Sequence, residues 1–262
     1  MSLIHHVVTG SGGTPIVFVH GFACAHADWD AQVAHLSPSR RTVAVDLRGH
    51  GASPGEAVDC SIERYGADVA AVMHVLDLPP AIIVGHSLGC RVASEAALQA
   101  PSRTAGVILV DGSQFPAGAD AGMRARFAAP EGFDGVADDL FVDMFTAKSD
   151  PSAAAAVVAR ARRLSPAVGT KMLLDLIRYD NARLTATYAS LRVPVIAIQT
   201  TTRNADGRRG TLRQGQTTPY LDMLRAAQPS ARIEIIDDTG HFPQIDEPAR
   251  TNALMADFLT RF

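Results

Sequence analysis

Short apolar runs bounded by turn residues recur along the chain, and stretches of helical periodicity separate most of them. Residues 15–19 (PIVFV), 42–47 (TVAVDL), 81–84 (AIIV), 106–110 (GVILV), 193–198 (VPVIAI) and 233–236 (IEII) are apolar at odd and even positions alike. A strand covered on both faces needs that pattern, so these runs are expected as buried parallel strands. Residues 3–8 are expected as an antiparallel edge strand ahead of them. Helical patterns fall at 27–36, 61–76, 88–99, 219–227 and 248–259. Strand and helix in alternation predict an α/β sheet with right-handed crossovers.

One interval breaks the rhythm. Residues 115–191 hold no strand pattern, only interrupted helical periodicity at 138–145, 152–164 and 166–179. Such a length far exceeds the ~2–6 residues that usually connect a strand to a helix. The expected architecture is therefore a mostly parallel, doubly wound α/β sheet built from residues 1–114 and 192–262. A helical cap, residues 115–191, is expected as an insertion after the sixth strand.

Composition narrows the classes. The 262 residues are 47% hydrophobic and 19% charged with a net charge of −3, which excludes a disulfide-stapled miniature, a disordered chain and an electrostatic nucleic-acid binder. The three cysteines, Cys24, Cys60 and Cys90, form no CxxC pair and no zinc-type cluster with histidine, so a reducing, cytoplasmic setting is expected. The opening MSLIHHVVTGSGG lacks the basic and apolar regions of a signal peptide, and no run approaches the ~18 apolar residues of a membrane span. No Walker-type loop, HExxH or Rossmann glycine pattern occurs, so neither a cofactor nor a metal is expected. The partner expected is a small-molecule substrate, with no nucleic acid and no membrane, and the protein is expected as a monomer or homodimer.

The chemistry concentrates at turns. Gly85-His86-Ser87-Leu88-Gly89 follows a predicted strand and opens a predicted helix, the context that gives G-x-S-x-G its meaning. So sharp a turn strains the serine backbone and pushes its hydroxyl out at the sheet edge, while flanking glycines relieve the crowding. Ser87 is thus the candidate nucleophile. His20-Gly21-Phe22 follows an earlier strand and reaches the same edge. The backbone N–H groups of Phe22 and Leu88 are candidates for an oxyanion hole.

These motifs, with Asp46-Leu47-Arg48-Gly49-His50-Gly51-Ala52-Ser53 and Gly240-His241-Phe242, resemble the α/β-hydrolase superfamily. They are most similar to its capped esterase, haloperoxidase and C–C hydrolase members. The likeness in order and spacing runs over nearly the whole chain. It implies that the loop after residues 233–236 delivers His241 as the catalytic base, in preference to His5, His6, His20, His26, His35, His50, His74 and His86. Asp46 and Arg48 read as structural braces, and Cys90 as a packed residue, not a second nucleophile.

The acid departs from the family pattern. Residues 199–203 read QTTTR, where such proteins usually carry G-x-x-D. Asp206 follows late, in a polar turn, and Asp111 ends the strand GVILV, a position from which some family members draw their acid. Asp111 is preferred because the acid must be held rigidly to orient the base, and Asp206 is the alternative. The serine argues against chemistry that starts from an aspartate nucleophile. The reading is a Ser–His–Asp hydrolase acting on a small or medium apolar carboxylic ester or lactone. C–C hydrolysis, perhydrolysis, a lyase on the same residues and a slow ligand sensor are the alternatives.

Overall fold

Strands that are apolar on both sides require a sheet whose two surfaces are each sealed. The computed structural model describes residues 3–204 and 208–262. The strands are β1 (His6–Thr9), β2 (Ile16–Val19), β3 (Thr42–Val45), β4 (Ala81–His86), β5 (Thr104–Val110), β6 (Val195–Gln199), β7 (Thr201–Arg203), β8 (Arg209–Thr211) and β9 (Arg232–Ile235). Seven of them form one sheet in the order β1-β3-β2-β4-β5-β6-β9, parallel except for β1, which runs antiparallel to β3. Alternation along β2 sends Ile16 and Phe18 to one apolar cluster and Val17 and Val19 to the other.

Helices close both faces. α1 (Asp30–Leu36) lies on one side of the sheet, and α2 (Ile62–Val75) and α3 (Leu88–Gln99) lie on the other. Between β5 and β6 run α4 (Ala119–Phe127), α5 (Gly132–Phe141), α6 (Pro151–Ala161), α7 (Pro166–Ala182) and α8 (Leu184–Ser190). The chain ends with α9 (Pro219–Ala227), the short α10 (Pro243–Asp246) and α11 (Pro248–Leu259). Met255, Phe258 and Leu259 of α11 join Trp29 and Leu36 on the α1 side, whereas Leu221 and Leu224 of α9 join the α2–α3 side. The sheet is therefore doubly wound, as the alternating pattern predicts.

Several details differ from the sequence reading. The helical interval follows the fifth strand of this chain, not the sixth: His6–Thr9, Ile16–Val19, Thr42–Val45, Ala81–His86 and Thr104–Val110 are the strands that precede it among the described residues. That edge strand also starts three residues later than expected. α4 and α8 went unpredicted, and α5 begins at Gly132, earlier than residue 138. Its buried face is Phe133, Val136, Ala137, Leu140 and Phe141, a regular helical stripe masked in the sequence by the low helix propensity of Gly132 and Gly135 beside it. The β7–β8 hairpin was also unpredicted: two three-residue strands give too little periodicity to read. No helix among the described residues is long and apolar enough to cross a membrane.

Candidate active site

The elbow is built by the direct junction of β4 and α3. Ser87 is the single residue between them, with φ 54° and ψ −114°. A methyl group on Gly85 would stand 2.1 Å from the Gly89 carbonyl oxygen, and one on Gly89 would stand 2.5 Å from that of Val19. Only glycine lets strand and helix approach so closely. The strained serine is pinned from both sides. Its N–H donates to the Val110 carbonyl at 2.9 Å, and its carbonyl accepts from Arg91 Nη1 at 3.1 Å. Arg91 is fully buried and paired through Nε and Nη2 with both oxygens of Asp180 in α7, at 2.9 and 2.8 Å.

His241 arrives from the loop after β9. Its backbone N–H donates to the Met144 carbonyl at 2.7 Å, and its carbonyl accepts from His86 Nε2 at 2.7 Å. Thr200 Oγ1 donates to the preceding Gly240 carbonyl at 2.8 Å. So held, the imidazole places Nε2 2.9 Å from Ser87 Oγ and Nδ1 2.6 Å from Asp111 Oδ2. Asp111 sits just beyond β5 with φ 42°, a left-handed conformation that turns its carboxylate under the histidine. Its Oδ1 accepts from the N–H groups of Thr200 and Thr201, both at 2.8 Å, and its Oδ2 from the Thr201 hydroxyl at 2.6 Å. Asp206 lies outside the described residues.

Burial governs the charges. It pushes the Asp111 carboxyl upward, and Arg209 with the Thr200 and Thr201 donors pulls against that shift. Burial holds His241 well below the usual histidine range, and the cations of Arg209, Arg203 and Arg91 add to the effect. A neutral imidazole with Nδ1–H on a carboxylate leaves its Nε2 lone pair facing the serine hydroxyl. That is the state a general base requires.

The His20-Gly21-Phe22 turn packs on the elbow. A methyl on Gly21 would stand 2.8 Å from His86 Nδ1 and 3.3 Å from Ser87 Cβ. Leu88 is the first residue of α3, so its N–H has no partner within the helix. Phe133 of α5 meets the Phe22 ring edge-on at 6.3 Å between centroids, and Phe145 stacks on Phe242 at 5.0 Å. The helical interval thus reaches both the His20-Gly21-Phe22 turn and the His241 loop. Beside the turn a cavity of about 420 Å³ opens between residues 23–27 and Arg160, Arg163 and Leu164.

The other singled-out residues have local partners. Asp46 accepts from the N–H groups of His26 and Ala52 at 2.8 and 2.9 Å, with Nδ1 of His5 and of His26 each 3.0 Å away. These three side chains form the one group among the described residues whose geometry could hold a metal ion. Arg48 forks onto Asp68 at 2.9 and 2.7 Å. The Cys90 thiol is buried, which pushes its pKa up to about 12, and it is therefore no thiolate nucleophile. Sequence reasoning missed the supporting residues His86, Thr200, Thr201, Met144 and Arg209. The one available signal was the acid-free QTTTR after β6, which marks a strand end doing something other than carrying an acid.

A model described as "Alpha/beta hydrolase family" matches residues 16–254. The chain belongs to the alpha/beta hydrolase family. Among similar proteins, a dihydrolipoyllysine-residue acetyltransferase component of an acetoin-cleaving system from Pseudomonas putida is 28% identical over 262 residues, 96% of this chain. The chain spans 65% of that relative's length. A non-heme chloroperoxidase from Streptomyces lividans is 42% identical over 100 residues, 37% of this chain and 36% of the relative. In fold, this hydrolase-family chain superposes on a thermophilic esterase from Thermogutta terrifontis with a TM-score of 0.81 at 21% identity, covering 98% of this chain and 93% of the other. An enol-lactonase from Burkholderia xenovorans LB400 gives 0.80 at 22% identity, covering 98% and 96%.

Proposed function

We propose that the protein is a serine hydrolase that cleaves a small or medium apolar carboxylic ester or lactone through an acyl-enzyme. The observation that carries this reading is the hydrogen-bonded path from Asp111 through His241 to Ser87, at 2.6 and 2.9 Å. Ser87 Oγ attacks the carbonyl carbon as His241 Nε2 takes its proton, and Asp111 stabilises the imidazolium that forms. The N–H groups of Phe22 and Leu88 receive the oxyanion. Losing one such donor typically costs ~3–4 kcal/mol of transition-state stabilisation. The imidazolium then protonates the leaving alkoxide, and a water activated by His241 releases the acid and restores Ser87. In a lactone the alkoxide stays tethered to the acyl group and the product is a hydroxy acid.

Residues 115–191 act in this reading as a cap. Phe133 and Phe145 supply apolar surface near Phe22 and Phe242, which favours a neutral, apolar acyl group. The esterase and lactonase folds similar to this one support an ester or lactone substrate. The stretch shared with the chloroperoxidase supports a second use of the same acyl-enzyme. There hydrogen peroxide replaces water as acceptor, giving a peracid and free Ser87.

A fluorophosphonate is expected to label the protein once, at Ser87, and Ser87→Ala to abolish labelling and all turnover of p-nitrophenyl esters and lactones. Adding hydrogen peroxide to turning-over enzyme tests the second acceptor by peracid formation. A folded protein that neither labels nor cleaves any ester or lactone would overturn the proposal.

A further inference from the structure

Where similar hydrolases usually carry an acid after β6, the hairpin that follows supplies a cation. The β7–β8 hairpin returns Arg209 to the floor of the site, with Nη1 3.6 Å from Asp111 Oδ2 and side-chain exposures of 3% and 0%. Nη1 does not make a fork onto the carboxylate. It donates instead to Thr201 Oγ1 at 2.7 Å, and that hydroxyl donates onward to Oδ2 at 2.6 Å. Both lone pairs of Oδ2 are therefore taken by Thr201 and His241 Nδ1. A guanidinium serving only to close the hairpin would gain most from direct two-point contact with a carboxylate. This one forgoes that contact, and its Nε is buried with no hydrogen-bond partner among the described residues.

We propose that Arg209 is a positioning residue of the Ser87–His241–Asp111 set, keeping the Asp111 carboxylate charged while its Oδ2 stays directed at His241 through Thr201. This inference rests on the serine-hydrolase reading. The backbone supports the placement: Arg209 N–H donates to Asp143 Oδ2 at 2.7 Å, and neighbouring Met144 holds the His241 N–H. One segment after α5 thus anchors both the cation's strand and the histidine's loop. Asp111 in turn sits in a low-dielectric site, where an unpaired carboxylate would be costly.

The pair Asp111–His241 shares its protons, so the quantity that matters is proton uptake by the pair as a whole. A nearby cation opposes that uptake whichever residue receives the proton. The charged and titratable groups facing the pair are Arg209 on β8, Arg203 on β7, Arg91 and Cys90 on α3 and His86 on β4, while Asp143 after α5 faces Arg209. Arg209 is the cation in closest contact with the carboxylate.

The test compares the full chain with Arg209→Met, Arg209→Gln and Arg209→Lys. Each is read in two ways: the pH profile of kcat/KM for a p-nitrophenyl ester, and the NMR titration of the His241 ring. The neutral variants are expected to move the acid limb and the ring titration upward together, by about one pH unit, a tenfold rise in proton affinity. They are also expected to lower kcat at least tenfold. Arg209→Lys, which keeps the charge, is expected to leave the limb near its wild-type position. Unchanged limbs and titrations in folded neutral variants would overturn the proposal, as would a Lys variant shifted as far as Met. If both neutral variants fail to fold while Lys folds, the pair is structural and the proposal falls. A wild type with no ester activity would defeat the hydrolase reading separately, because the ring titration needs no substrate.

Discussion

At the scale of single residues, the assignments rest on what each atom can accept. Asp111 Oδ1 takes two backbone N–H groups and Oδ2 takes a hydroxyl and the imidazole, so every lone pair of the carboxylate has a donor. Asn at this position would set an NH2 against one of those donors and favour the wrong histidine tautomer. Asp111→Asn is expected to lower kcat by about 10⁴ in the hydrolase reading, as loss of such an acid does elsewhere. Asp206→Asn is expected to leave kcat near wild type. Steady-state kinetics on the two variants, with folding checked by circular dichroism, decides between them, and the reverse ranking would reassign the acid. Ser87 was legible because its signal is local: five consecutive residues encode strand, turn and helix. The acid was legible only as a preference for Asp111, at the end of a buried strand, because no local pattern records which carboxylate meets a histidine 130 residues beyond Asp111.

Elements are governed by how closely their backbones approach. β4 touches α3 through Gly85, and α3 touches the end of β2 through Gly89, so a methyl added at either would strike a carbonyl oxygen. Neither oxygen can move without parting the helix from the sheet. Gly89→Ala is expected to cost about 3 kcal/mol or to prevent folding. By contrast a methyl on Gly122 in α4 meets nothing within 4 Å, so Gly122→Ala is expected to hold or raise Tm through helix propensity, by about 0.5–1 kcal/mol. Thermal unfolding of the two variants checks the contrast; equal Tm values would refute the close-approach account. Element type was readable where apolar periodicity was long, as in β4, β5, α2 and α11. It failed for α5, whose stripe begins beside two glycines, and for the β7–β8 hairpin, which tertiary contacts with Asp111 and Asp143 hold in place.

Across the whole molecule, neutral histidines are part of the core. Burial pushes His20 and His86 down to about 3 and His50 down to about 4. Their unfolded values stand near 6.5, so below that pH the unfolded chain binds protons that the folded chain does not. The stability they contribute is complete above about pH 6.5 and is lost progressively as pH falls toward 4 and then 3. Tm is therefore expected to drop steadily from pH 6.5 to pH 4, with the folded rings still neutral by NMR through most of that range. A flat Tm over the interval would contradict it. The helical interval is tied into the same body by the buried Arg91–Asp180 pair, which links α7 to the turn that holds Ser87.

The sequence by itself determined the parallel strands, the elbow with its glycines, and the existence of a long helical interval, since each follows from contacts among residues near in sequence. Only the tertiary structure set the Asp111 carboxylate against His241, made Met144 and His86 hold its loop, and brought a cation to the ground where similar hydrolases usually carry an acid. Those outcomes depend on strand ends far apart in the chain converging at one edge of a sheet. There, burial makes each charge answerable to its new neighbours, and no local pattern of residues records who they will be.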